Sequence, residues 1–149
     1  MELSKEQSIC RAVELERLTK EARRILDVIR QGITTTTSGL CLYGSIIVKE
    51  LIDRFTDYAA TIRGGDGHED GGYQHTDGTL HGHYWVEVST PGERFIIDIT
   101  HDQFSNGEPC ILCLLGEPQA NQYTAGNQAL VDEHCRVLLR DIQRSVIQP

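Results

Sequence analysis

Apolar residues recur at steps of three to five from Leu3 to about Arg30. Ile9, Val13, Leu18, Ala22, Ile25, Leu26 and Ile29 stand mostly with charged residues between them, which predicts an amphipathic helix ended by Gly32. Thr34 to Thr37 are polar and β-branched and predict a connector. A second apolar run, "LCLYGSIIVKELIDRF", predicts a helix from about Leu40 to Phe55 whose buried face carries Cys41, Ser45, Val48, Leu51 and Ile52. The pattern then changes to strand character in "YAATIR", "HYWVEV", "RFIIDIT" and "CILCLLG". Between the first two of these, residues 64–82 hold seven glycines, several aspartates and no basic residue beyond histidine, which predicts a long exposed loop. A last helix is expected from Gly126 to Gln148 on Leu130, Val131, Val137, Leu138 and Ile142. Helix, helix, strands and helix in that order predict a single α+β domain with an antiparallel sheet.

Composition narrows the partners. A formal charge of -8 over 149 residues argues against a nucleic-acid or anionic-membrane surface, since phosphate binding needs clustered Lys and Arg. No apolar run approaches the ~20 residues of a membrane helix, and no charged-then-apolar leader follows Met1, so a cytoplasmic protein is expected, with export by a route lacking a cleavable signal left open. Five cysteines at 10, 41, 110, 113 and 135 are odd in number and irregularly spaced, which suits free thiols in a reducing compartment. Cys110 and Cys113 form a CxxC, but it lies in an apolar strand-like run with no second pair and no helix start, so core packing is the expected role.

Cys41 is the first candidate for chemistry. If Ser38 caps the second helix, Cys41 falls in its first turn, where unsatisfied N–H groups and the helix dipole favour a thiolate and can hold an oxyanion. Gly39 and Gly44 would let backbone and substrate approach closely. On position alone, a small buried hydrophobe is the simpler reading.

The hairpin changes that balance. With "STPG" as a four-residue loop pairing Val88 with Glu93, Glu87 faces Arg94, Trp85 faces Ile96 and His83 faces Asp98. All six share one side of the sheet because side chains alternate with period two. Asp98 interrupts an otherwise apolar strand and needs a partner there. An imidazole on a carboxylate is the base and orienter of a nucleophile–base–orienter set. His81 would share the face with Thr100 as its partner. His101 and Asp102 fall past the strand in a turn, and His134 suits a surface or helix-packing role.

Gly39-Leu40-Cys41 at a helix start, "HYWVEV" and "FIIDITHDQF" together resemble the transglutaminase-like branch of the papain-like cysteine enzymes, with its G-x-C, H-x-W and D-x-T in that order. The likeness covers Gly39 to Phe104 and extends to small bacterial members, including relatives of lasso-peptide maturation proteases. The resemblance implies a papain-like fold, Cys41 as nucleophile, His83 as base, Asp98 as orienter, and Gly39, Leu40 and Trp85 as substrate-binding residues. Tyr84 departs from the small residue common between His and Trp, and the segment before His83 is unusually long and acidic.

The expected activity is hydrolysis of an amide in a protein or peptide, as a protease or glutamine deamidase, through a thioester and with no cofactor. The same triad would serve a transglutaminase or other acyltransferase. Two other classes compete: a divalent-metal protein using His68, His75, His81, His83 and Asp66, Asp70 or Asp77, and a binding module on the same fold without activity. The metal reading is weakened by spacings that match no compact zinc pattern and by the entropy of closing a glycine-rich loop.

Overall fold

Ser4 and Gln7 cap each other reciprocally: Gln7 N–H donates to Ser4 Oγ at 3.1 Å and Ser4 N–H to Gln7 Oε1 at 3.1 Å. That capping box starts helix α1 (Lys5–Gln31), which ends at Gly32. A computed structural model describes residues 4–32, 39–104 and 108–147 of the chain. The expected connector at Thr34–Thr37 and the expected cap at Ser38 lie outside them. Helix α1 buries Leu15, Thr19, Ala22 and Leu26, a stripe at steps of four, three and four. The sequence pattern also includes Ile9, Val13 and Ile29, which are exposed. Ile9 and Val13 lie across the helix from the stripe, and Ile29 follows the last buried turn.

Helix α2 (Cys41–Phe55) presents Gly44, Ser45, Val48 and Ile52 to the core, while Cys41 and Leu51 are half-buried. Its C-terminus is closed by Thr56, whose hydroxyl donates to Ile52 O at 2.8 Å. Both helices pack on one face of a four-stranded antiparallel sheet ordered β1 (Ala59–Gly65), β4 (His83–Thr90), β5 (Glu93–Asp98) and β6 (Ile111–Leu114). The third helix, α3 (Gln128–Ile147), packs against β1 through Val131, which is buried, whereas Leu130 faces out. The protein is therefore α+β, and no helix among the described residues is long and apolar enough to cross a membrane.

The β4–β5 hairpin differs from the expected one. Thr90 pairs with Glu93 across a two-residue turn at Pro91-Gly92, so Val88 faces Phe95 and Glu87 faces Ile96. Proline followed by glycine at φ +86° is type II turn chemistry, which reverses the chain in two residues where a four-residue loop was expected, so β4 runs on to Thr90. The pairing is displaced by two residues, an even number, so every side chain keeps its face.

Residues 64–82 are largely exposed turns, as expected, but they are not loop throughout. They supply the end of β1 and two short strands, β2 (Gly72–Gln74) and β3 (Leu80–His81), which join β7 (Tyr123–Thr124) in a small sheet ordered β3-β2-β7. The aspartates that made the stretch look solvated hold its turns. Asp66 accepts from the N–H groups of His68 and Asp70, Asp77 from Thr79, and Asp70 from Asn127 at the start of α3. The small sheet lies over the face of the main sheet opposite α1 and α2, enclosing a second apolar cluster of Tyr73, Trp85, Ile96, Ile111, Cys113, Ala120 and Tyr123. Strand pairing brings Gly72 so close that a Cβ there would stand 2.2 Å from His81 O, and its φ is +127°. Gly72→Ala is accordingly expected to cost about 1–3 kcal/mol in urea unfolding. Wild-type stability in that variant would contradict this pairing of β2 with β3.

Candidate active site

Cys41 is the first residue of α2, and the N-cap is Leu40 (φ -102°, ψ 8°), an apolar residue with no side-chain acceptor to offer. The first helical bond runs from Gly44 N to Leu40 O at 2.9 Å, so the N–H groups of Cys41, Leu42 and Tyr43 belong to the unpaired first turn. Gly44 lets this turn approach the end of β5, since a Cβ there would meet Ile99 Cγ1 at 3.0 Å and Thr100 Cγ2 at 3.3 Å. Helix start and strand end are thereby held together.

At that junction His83 Nε2 lies 2.8 Å from Asp98 Oδ2, with the two residues 1% and 2% exposed. A carboxylate only accepts, so Nε2 carries the proton. The contact is diagonal across β4 and β5, because the register that pairs Val86 with Ile97 sets His83 two residues beyond the position facing Asp98. Glu87 and Arg94 are likewise diagonal and still paired. Asp98 receives three further interactions: Tyr123 OH on Oδ2 at 2.7 Å, and Thr100 N–H and Oγ1 on Oδ1 at 3.0 and 3.4 Å. The other imidazole nitrogen, Nδ1, is buried and has no hydrogen bond of good geometry. Cys41 lies close enough to the ring to favour its charged form.

Burial alone would make His83 harder to charge, but the Asp98 charge and hydrogen bond, helped by Cys41, push its pKa up to about 9. Asp98 shows the mirror case. Burial opposes its ionisation, and the His83 charge and hydrogen bond, Tyr123 and the Thr100 N–H together hold it below the ordinary carboxylate range. The pair is therefore imidazolium and carboxylate at neutral pH.

Arg23 on α1 braces the segment that follows β5. It grips Asp102 with its two terminal guanidinium nitrogens, at 2.9 and 2.8 Å, and donates to Ile99 O at 2.8 Å. His101 and Asp102 lie in a 3-10 turn, as expected, with His101 Nε2 2.9 Å from Tyr73 OH. Phe104 closes over the site, its ring centroid 4.7 Å from that of His83 and 4.5 Å from that of Tyr73.

The other expected site residues separate. Leu40 and Trp85 are core side chains, 7% and 2% exposed, so they shape the site from behind and offer a substrate no surface. Trp85 stacks along His83 and takes the edge of Tyr123. Gly39, at φ +81°, has open space where a side chain would stand. His81 pairs with Tyr73 in the small sheet, so Thr100 is not its partner. His68 is exposed, whereas His75 is half-buried against Tyr73, His81 and Phe104. Among the described residues no three His, Cys, Asp or Glu side chains are placed to hold a metal ion. His134 is exposed on α3 beside the Tyr84 hydroxyl. Cys113 is buried and Cys110 half-buried, and burial pushes both thiols up to about 11, which suits packing. A groove of about 780 Å³ between α1 and β6 includes none of Cys41, His83 or Asp98.

Tyr123, Tyr73, Phe104 and Arg23 were not legible as site residues. Phe104 lies inside the "DITHDQF" match, and the other three carry no local signal. No family model, curated protein or solved structure matches this chain.

The shifted titrations set a pH window for stability. His83 has a folded value above its ordinary 6.5 and Asp98 one below its ordinary 3.8, so the pair stabilises fully between those two ordinary values. Above pH 6.5 the unfolded chain sheds the His83 proton that the folded chain keeps until about 9, so stability falls across that interval. In acid it falls as Asp98 takes up a proton at its lowered value. Urea unfolding is expected to lose at most about 1.4 kcal/mol per pH unit from this pair on going from pH 6.5 to 9, and the loss should vanish in Asp98→Asn. An undiminished slope in that variant would assign the pH dependence to other groups.

Proposed function

We propose that the protein is a cysteine hydrolase that attacks an amide bond of a protein or peptide through Cys41, His83 and Asp98, on a papain-like, transglutaminase-like arrangement of helix and sheet. The observation that carries this reading is the asymmetry of His83. One ring nitrogen is fixed on a buried carboxylate, and the other is buried without a hydrogen-bond partner in a ring on which Cys41 also acts. A histidine used only for packing has no need of that division.

In the proposed reaction the Cys41 thiolate adds to the carbonyl carbon. The carbonyl oxygen takes up the displaced electron pair as an oxyanion beside the first-turn N–H groups of α2. Collapse of this intermediate breaks the C–N bond, and the amine leaves with the Nδ1 proton of His83. The thioester is then attacked by water, which gives one proton to His83, and collapse releases the acid and re-forms the Cys41 thiolate beside the imidazolium. A backbone amide gives proteolysis by this route and a glutamine side chain gives deamidation. An amine in place of water gives acyl transfer with the same residues. Net charge favours a neutral or basic polypeptide as substrate.

Two measurements test the proposal. Mapped alkylation with iodoacetamide at pH 6 to 7 should modify half-buried Cys41 faster than exposed Cys10, against the order that exposure sets. Intact-mass profiling of candidate polypeptides should show fragments, or conversion of amide to acid, with the wild type. That turnover should fall at least about a hundredfold in Cys41→Ala and in His83→Ala, and less in Asp98→Asn. Retained turnover in Cys41→Ala would overturn the assignment.

A further inference from the structure

Tyr123 reaches the site from a part of the chain that shows no motif. Its hydroxyl donates to Asp98 Oδ2 at 2.7 Å, the same oxygen that accepts from His83 Nε2 at 2.8 Å, while Thr100 N–H occupies Oδ1. The ring is 9% exposed and is held edge-on against Trp85 and Tyr73, with centroids 5.2 Å away in each case. Strand β7 fixes its height by pairing Tyr123 with Tyr73 and Gly72 with Thr124. Tyr73 gives a built-in contrast. It belongs to the same small sheet and is similarly buried, yet its hydroxyl bonds to His101.

We propose that Tyr123 is a positioning residue of this site, which divides the charge of Asp98 Oδ2 between two donors and so governs how firmly the carboxylate grips His83. Through Tyr123 the small sheet becomes a working part of the site as well as its cover. The placement stands on geometry; its catalytic meaning rests on the proposed hydrolase reading. With the tyrosine hydroxyl removed, the full charge of Oδ2 falls on His83, which then holds its proton more tightly and releases it less readily to a leaving amine. Burial and the neighbouring Asp98 charge raise the Tyr123 phenol far above its ordinary value, so it remains a donor throughout the range in which His83 titrates. The other titratable groups acting on the pair or sensing it are Cys41 from α2, Tyr73 from β2, Cys113 from β6 and Cys110 just before it. Tyr73, Cys110 and Cys113 are all shifted upward, which keeps them neutral over most of that range.

The test is an NMR titration of histidine-labelled full-length protein, following the His83 ring nitrogens. In Tyr123→Phe the midpoint should rise from the wild-type position, near 9, by about half a pH unit or more. In Tyr73→Phe, which removes a hydroxyl from the same sheet, it should stay in place. An unmoved midpoint in folded Tyr123→Phe, or an equal movement in both variants, overturns the proposal. Should Tyr123→Phe fail to fold, 3-fluorotyrosine placed at position 123 supplies a stronger donor of nearly the same shape. The midpoint must then move downward, and a midpoint that stays or rises overturns the proposal. Neither titration depends on turnover. Activity surviving in Cys41→Ala would remove the hydrolase reading while leaving this result standing.

Discussion

A charged carboxylate with 2% exposure is tolerable only if its oxygens are satisfied, and the arrangement of this protein around Asp98 follows from that need. His83 supplies the compensating charge, Tyr123 a second donor on the same oxygen, and Thr100 the donors on the other. These groups come from β4, from β7 and from the residue two after the aspartate itself. Removing any one leaves part of a buried charge uncompensated, which costs more than an exposed bond would. Two sheets are thus tied to a single side chain.

The same constraint explains the glycine- and aspartate-rich segment before His83. A donor to Asp98 from outside the main sheet requires a second layer, and residues 64–82 supply two of its three strands. Those strands are too short to be stable alone. Asp66, Asp70 and Asp77 hold their turns, and the aromatic rings of Tyr73, Phe104 and Tyr123 fill the space above His83. Acidic composition there serves local backbone geometry. Arg23 performs the matching task from the other side, where its fork on Asp102 and Ile99 O fixes the chain just beyond Asp98.

Much of the site was readable because strand periodicity is robust to errors of register. The expected hairpin loop was two residues too long, yet His83, Trp85 and Asp98 still shared a face, since an even displacement preserves it. The direct pairing of His83 with Asp98 did not survive, and a diagonal contact of long side chains replaced it. Helix α1 was less forgiving. Its apolar residues include Ile9 and Val13, which lie away from the sheet, so an apolar count alone misplaced the ends of its buried stripe.

The sequence by itself determined the order of helices and strands, the start of a helix close to Cys41, and the presence of a histidine and an aspartate on one face of a hairpin. These depend on propensity, capping and a two-residue period, which act between near neighbours. Only the tertiary structure decided that Tyr123 shares an oxygen with His83, that Arg23 braces the following turn, and that Leu40 and Trp85 are enclosed. Tyr123 is 25 residues from Asp98, and Arg23 is 79 from Asp102. Contacts over such separations are set by how whole layers stack, and a lone tyrosine or arginine carries no periodicity that would announce them.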